Sequence, residues 1–320
     1  MNATPVHLSA PRYVLGENAA DHTSMAHLSA RAAELRMPPK ASLWGWGTIH
    51  RTGKNLETLA VESGRATLAA AGAGPGQVDA LILCSTRFPG GPRTHGGFVQ
   101  AVMTGLGLTD AAFTGITLNR CTNLLAGLRL AQALVASGQH HTVLVVTTDR
   151  ISDEATRMEN FALFSDGSAA CLVSARPYGE DAYEILGGAS AQDLPSLGWS
   201  NEISSDLARV VNDRILAPLG LTTGDVDGLL HPNLFKPIVV LKERQAGFKA
   251  GQLFLDNISR VGHCFAADPL INLVDRGEAG QLRDGGRYLL ASSVPGVRVG
   301  VLLRKLPAAQ QPTSDQSPES

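Results

Sequence analysis

Four side chains of this chain could do chemistry together: Cys121, His231, His263 and Asp268. Cys121 lies in "TLNRCTNLLAGLRLAQALVASGQ", after a polar turn and ahead of an apolar helical pattern starting near Leu124. Free cysteine is among the most buried residue types, so a core thiol is one reading. The other is a nucleophile at a helix mouth. There, unpaired N–H groups and the helix dipole stabilise a thiolate and can hold a developing oxyanion. His263 and Asp268 stand five apart in "SRVGHCFAADPLINLV". Asp268 precedes Pro269, so it can be a helix N-cap, and His263 can be a satisfied core histidine. Together they suggest an imidazole oriented by a carboxylate, which a cysteine nucleophile needs. The side chain of the adjacent Cys264 is expected to point elsewhere. His231 ends the strand-like "GLLH", where catalytic groups of α/β folds gather. A turn histidine before Pro232 reads equally well.

The elements that must position these residues follow from patterning. Short apolar runs, Val78–Cys84, Thr142–Thr148 and Arg287–Ser293, read as strands buried on both faces, with Cys84 as core. Glu57–Gly72 and Leu124–Gly138 have helical spacing and end in glycine, a C-cap signal. "LFSDGSAACLVS" is a glycine-containing turn entering a strand, with Asp166 structural and Cys171 in the core. The alternation predicts an α/β fold. "AGAGPGQVDALIL" also echoes "LGLTTGDVDGLLH": Gly72 matches Gly220, Gly76 matches Gly224, Val78–Asp79 match Val226–Asp227, and Leu81 matches Leu229. The echo predicts two similar halves sharing one core, residues 1–175 and 176–306. The Pro/Ser-rich tail, residues 307–320, is expected to be disordered.

Composition narrows the function. With 320 residues, 44% hydrophobic and 18% charged, the chain can bury a sizeable core. A formal net charge of -2 argues against a general nucleic-acid binder. No apolar run reaches membrane-spanning length. The start, "MNATPVHLSAPRYVLGE", lacks a basic n-region and an apolar h-region, so no signal peptide is expected. Four widely spaced cysteines form no CxxC pair, so reduced thiols and a cytoplasmic location are expected. Neither GxGxxG nor GxxxxGK[ST] is completed, His140–His141 read as a solvated loop, and no metal spacing appears.

In order along the chain, these segments resemble the thiolase superfamily, specifically its ketoacyl-ACP synthase III-like branch, over most of Leu56–Arg304. "VDALILCST" looks like the family's first core strand. "NRCTNLLAGL" is similar to its nucleophile segment, A-C-[SA]-G-F, and "LFSDGSAACLVS" to its F-G-D-G-A-[GA]-A. "HPNLFKP" stands where the family has H-Q-A-N, and "VGHCFAADPLINL" where it has G-N-[TS]-[SA]-[SA]-[AS]. The resemblance implies a thiolase fold of duplicated βαβαβαββ halves in a layered α-β-α-β-α core. It implies a homodimer, a thioester on coenzyme A or a carrier protein as substrate, and no metal or bound cofactor.

Two departures sharpen the expectation. The family's usual triad is Cys–His–Asn, and here His263 stands at the asparagine. In the family that asparagine, with the first histidine, binds the thioester oxygen during decarboxylation. A subgroup in antibiotic and polyketide pathways is similar in having His there and Asp five residues on, and its members include acyltransferases. The resemblance therefore implies acyl transfer through an acyl-cysteine on Cys121, with His263 as base and Asp268 orienting it. His231 would orient the thioester or act as a second base. The alternatives are a starter-unit 3-oxoacyl-ACP synthase, a thioester hydrolase and a non-catalytic heterodimer subunit. Secondly, "ASSVPGVRVGVLLR" places Pro295 at a glycine whose N–H normally serves the oxyanion hole, and proline has no N–H. The basic segment with Lys236, Lys242, Arg244 and Lys249 is either a solvated helix face or a dock for an acidic carrier protein, with Lys236 as the expected contact.

Overall fold

The computed structural model describes residues 5–88, 90–198 and 204–307. The tail, from residue 308 onward, lies outside the described residues. Among the described residues there are eleven strands: β1 His7–Leu15, β2 Asn18–Asp21, β3 Thr48–Arg51, β4 Ala80–Cys84, β5 Ala112–Ile116, β6 Thr142–Asp149, β7 Gly167–Ser174, β8 Ala182–Gln192, β9 Gly228–Leu230, β10 Arg287–Val294 and β11 Val297–Lys305. β2 and β3 form a separate ribbon, and the other nine are ordered β5-β4-β6-β7-β1-β8-β11-β10-β9. The β4–β5, β4–β6 and β9–β10 pairs are parallel. β4, β6 and β7 are buried along their whole length, as expected of strands covered on both faces.

The strand order is that of two copies of one unit. Counted within each half, the first runs 3-2-4-5-1 (β5-β4-β6-β7-β1), and the second runs 2-4-5-1 (β9-β10-β11-β8). The third strand of the second half is reduced to one parallel bridge, Leu229 with Leu253. The echoed residues make equivalent bonds. Gly72 and Gly220 both close a helix at positive φ, +62° and +67°. Asp79 exchanges backbone and side-chain bonds with Thr142, its N–H donating to Thr142 O at 3.1 Å and its Oδ1 accepting the Thr142 N–H at 3.1 Å. Asp227 does the same with Arg287, at 2.8 Å each way. We propose that the halves are 1–175 and 176–306, a division that falls between β7 and β8.

One apolar cluster joins the inner faces of both halves through two central helices, Asn123–Ala136 and Asp268–Glu278. Helices Leu56–Ala71 and Pro92–Leu106 cover the outer face of the first half. Helix Ser205–Leu216 covers that of the second half. The architecture is thus α-β-α-β-α. The Asn123–Ala136 helix buries Leu124, Leu125, Leu128, Ala131 and Val135 at helical spacing. Each of its buried leucines is worth about 1.5–3 kcal/mol against exposure. Gly127 lets this helix approach the sheet: a Cβ there would stand 2.9 Å from Cys84 Sγ. Among the described residues no helix is long and apolar enough to cross a membrane.

Candidate active site

The nucleophile turn is built first. Cys121 sits in a short 3-10 turn, Arg120–Thr122, that runs straight into the helix Asn123–Ala136. Asn123 anchors this entry. Its Oδ1 accepts the Asn119 N–H at 3.0 Å, and its Nδ2 donates to Ser85 O, just beyond β4, at 2.9 Å. The second half grips the same turn: Ser292 Oγ donates to Cys121 O at 2.9 Å, and Arg120 Nη2 donates to Pro295 O at 2.7 Å. Of the four cysteines, Cys121 alone is partly accessible, and the other three are buried. Cys264 points away from the site, its Sγ 3.8 Å from Asp166 O.

His263 enters from the other side. Gly262 adopts φ +74°, a left-handed conformation that glycine holds without strain, and a Cβ there would stand 3.0 Å from Leu163 O. This turn sets the His263 backbone against the segment ahead of β7. His263 N–H donates to Leu163 O at 2.8 Å, and Ser165 N–H donates to His263 O at 3.0 Å. The ring Nδ1 lies 2.5 Å from Asp268 Oδ2, with both side chains buried. Asp268 opens the helix Asp268–Glu278 but does not cap it. Its carboxylate turns back to accept the Cys264 N–H on Oδ1 at 2.7 Å and the Asn233 N–H on Oδ2 at 2.6 Å. Burial disfavours the charged His263 ring, but attraction to Asp268 and Cys121 outweighs it and raises the pKa to about 10. With Nδ1 committed to Asp268, Nε2 is the nitrogen left for chemistry.

Cys121 and His263 share a cavity of about 210 Å³. Phe161, Phe164, Phe265 and Leu234 give it apolar walls, and Arg120, Val294 and Pro295 also line it. The structure thus brings together Cys121, His263 and, behind it, Asp268.

His231 is placed differently. It is fully buried and is not among the residues lining the cavity. Its Nδ1 lies 2.8 Å from Pro232 O, so the neutral ring carries its proton there, and Nε2, which has no partner among the described residues, presents a lone pair. Burial lowers its pKa to about 4. Lys242 is buried in an ion triad, with its Nζ 3.0 Å from Glu243 Oε1, while Arg298 grips Glu243 through Nη1 at 2.8 Å and Nη2 at 3.1 Å. Lys242 is on the inner face of its helix because Val239, Lys242 and Glu243 are its buried residues. Lys236 is half-buried in the first turn of that helix, and Arg244 and Lys249 are exposed.

Other polar residues around the site were not singled out from the sequence. Asn233 Nδ2 donates to Gly262 O at 3.0 Å, and Asn272 Nδ2 bridges His231 O at 2.8 Å and Asn233 Oδ1 at 3.1 Å. This amide network fixes the loop that holds Asp268. Asp149, at the end of β6, accepts the Thr86 N–H on Oδ1 at 2.6 Å, and its Oδ2 has no partner among the described residues. Burial raises its pKa to about 7. Only the position of Asn233, two residues after His231, offered a sequence signal. Asp166 is the structural anchor expected, accepting N–H groups of Ile151 at 2.8 Å and Thr52 at 3.0 Å.

The layered α/β architecture agrees with the comparisons. The 3-oxoacyl-[acyl-carrier-protein] synthase III family profile matches residues 117–193, from the nucleophile segment to just past β8. The chain is a ketoacyl synthase III-like protein with the fold of its relatives. These include a β-ketoacyl-[acyl-carrier-protein] synthase III of Bacillus cereus, 25% identical over 256 residues, 76% of this chain and 81% of that protein. The acyltransferase ChlB3 has a similar structure, with TM-score 0.80 and 18% identity, covering 95% of this chain and 99% of that one. 3-Oxoacyl-(acyl carrier protein) synthase III of Pseudomonas aeruginosa PAO1 gives TM-score 0.75 and 22% identity over 95% of this chain and 98% of that one. These likenesses indicate an enzyme of the ketoacyl synthase III type.

Proposed function

We propose that the protein is an acyltransferase of secondary metabolism, moving an acyl group from a carrier-protein or coenzyme A thioester, through an acyl-cysteine on Cys121, to an acceptor. The observation that carries this reading is the His263–Asp268 pair facing the cavity of Cys121. Ionised Cys121 attacks the thioester carbonyl. The oxyanion collapses, and the leaving thiolate takes the Nε2 proton of His263. Acylation consumes the charge on Cys121, so one of the two attractions that raised the His263 pKa disappears. The ring, now neutral and held at Nδ1 by Asp268, takes a proton from the acceptor hydroxyl, amine or thiol. The acceptor attacks the acyl-cysteine and restores the thiolate. These steps use only protein groups.

A second reading, a starter-unit 3-oxoacyl synthase forming a C–C bond, is favoured by the names of the curated relatives. Decarboxylation needs donors on the thioester oxygen, and His231 offers a lone pair instead of an N–H. Incubation with a malonyl carrier protein separates the two, since CO₂ release would contradict transfer. Mass spectrometry of Cys121 after incubation with acyl thioesters tests both against a non-catalytic subunit, for which no adduct forms. Lys236 is the proposed contact for an acidic carrier. The proposed homodimer would cover β5, an edge strand whose Phe113 is 55% exposed.

A further inference from the structure

Acyl transfer passes through an oxyanion, and such sites aim at least two donors at it. The Cys121 N–H, at the helix mouth, is one. The second must come from the cavity wall. Pro295 has no N–H, and it lines the cavity where the β10–β11 hairpin turns. Gly296, the next residue, is not among the lining residues and holds φ +73° as the third residue of that turn. Ser293 lines the cavity; its Oγ accepts from Arg298 Nη1 at 3.0 Å, and its O–H is a neutral donor. Thr86 gives its backbone N–H to Asp149 Oδ1 at 2.6 Å, and its hydroxyl is likewise a neutral donor. His263 is committed to proton transfer.

Arg120 remains. It lines the same cavity and directly precedes the nucleophile. It is held at φ +50°, a left-handed conformation that costs a non-glycine residue roughly 1–2 kcal/mol. Such strain persists where the surroundings over-determine it, often at functional sites. Here Arg120 Nη2 reaches across to Pro295 O at 2.7 Å. That one bond uses one of five guanidinium N–H donors. No carboxylate pairs with Arg120 among the described residues, so the charge is available to the cavity.

We propose that Arg120 supplies the second oxyanion donor, its guanidinium standing in for the N–H that Pro295 cannot provide. This rests on Cys121 being the acyl acceptor. As the Cys121 S–C bond forms, the carbonyl π pair moves to oxygen. The Cys121 N–H and an Arg120 N–H hold that charge until the thioester C–S bond breaks and the pair returns. The thiolate leaves with the proton of His263. A full positive charge in an apolar cavity makes this donor stronger than a neutral amide.

The test is rapid-quench mass spectrometry of Cys121 acylation by acetyl-pantetheine. Arg120→Ala is expected to lower the acylation rate by roughly 10²-fold or more. Arg120→Lys, which keeps the charge, is expected to recover part of the loss. Adding Pro295→Gly to Arg120→Ala restores a backbone N–H at the hairpin and is expected to raise the rate again. An Arg120→Ala enzyme that acylates at the wild-type rate overturns the proposal. So does a loss confined to KM, or one that Pro295→Gly leaves untouched in a folded double variant, since either marks Arg120 as only a structural tie. If the wild type itself forms no adduct, the acyl-enzyme reading fails first and this inference with it.

Discussion

His263 Nδ1 lies 2.5 Å from Asp268 Oδ2, in a pair taken wholly out of water. The carboxylate is held in turn by the Asn233 and Cys264 N–H groups. Removing its charge therefore changes both the tautomer and the charge of the base. Asp268→Asn is expected to lower turnover by roughly 10²–10⁴-fold. Acyl-transfer kinetics with the thioester and acceptor saturating measure this, and an unchanged rate would reduce the site to a Cys–His dyad.

The same pair sets an alkaline limit. Folded His263 keeps its extra proton to a pH of about 10, whereas in the unfolded chain it loses it near 6.5. Between those values the folded state binds more protons, so this stabilisation is complete below about 6.5 and is lost as pH climbs through about 10. Thermal unfolding from pH 6 to pH 10 should show the decline. In Cys121→Ala the thiolate attraction is gone, and the decline should finish at lower pH.

Two other buried groups act in opposite directions at acid pH. His231 stays neutral in the fold down to about 4, so its contribution is lost as pH falls from about 6.5. Asp149 stays protonated in the fold up to about 7, so its contribution is lost as pH rises from about 3.9. Relative to the wild type, His231→Gln should tilt stability between pH 4.5 and 6.5 toward a decline with rising pH, and Asp149→Asn toward a rise. Denaturant titrations across that interval read both slopes.

Glu243 sits between Arg298 and Lys242 with all three buried. Glu243→Gln leaves two cations without a counter-charge. It should cost about 3–5 kcal/mol, as expected for breaking a buried pair. The midpoint of urea unfolding checks it, and a change within experimental error would show the triad to be solvated.

The residue types and order along the chain decided a good deal. The apolar runs became β4, β6 and β10 because a strand covered on both faces needs no polar residues. Gly72 and Gly220 marked helix ends because left-handed backbone favours glycine. The echo around Asp79 and Asp227 survives as equivalent bonds, since each aspartate ties a strand start to its parallel neighbour. Cys121 at a helix mouth is likewise a local feature, set by a polar turn followed by apolar spacing.

Tertiary structure decided the rest. Lys242 reads as one more surface cation, and only packing against Arg298 and Glu243 shows it buried. His231 reads as a strand-end catalytic residue, yet its proton faces Pro232 O and its ring is walled in. Asp268 resembles an N-cap until its carboxylate is seen turned toward a histidine five residues earlier. Arg120 carries no signal in sequence, because its reach to Pro295 spans 175 residues. Local propensity is written in neighbouring residues. The direction of a side chain, the partner of a charge and the proton on a ring nitrogen depend on atoms that only folding brings near.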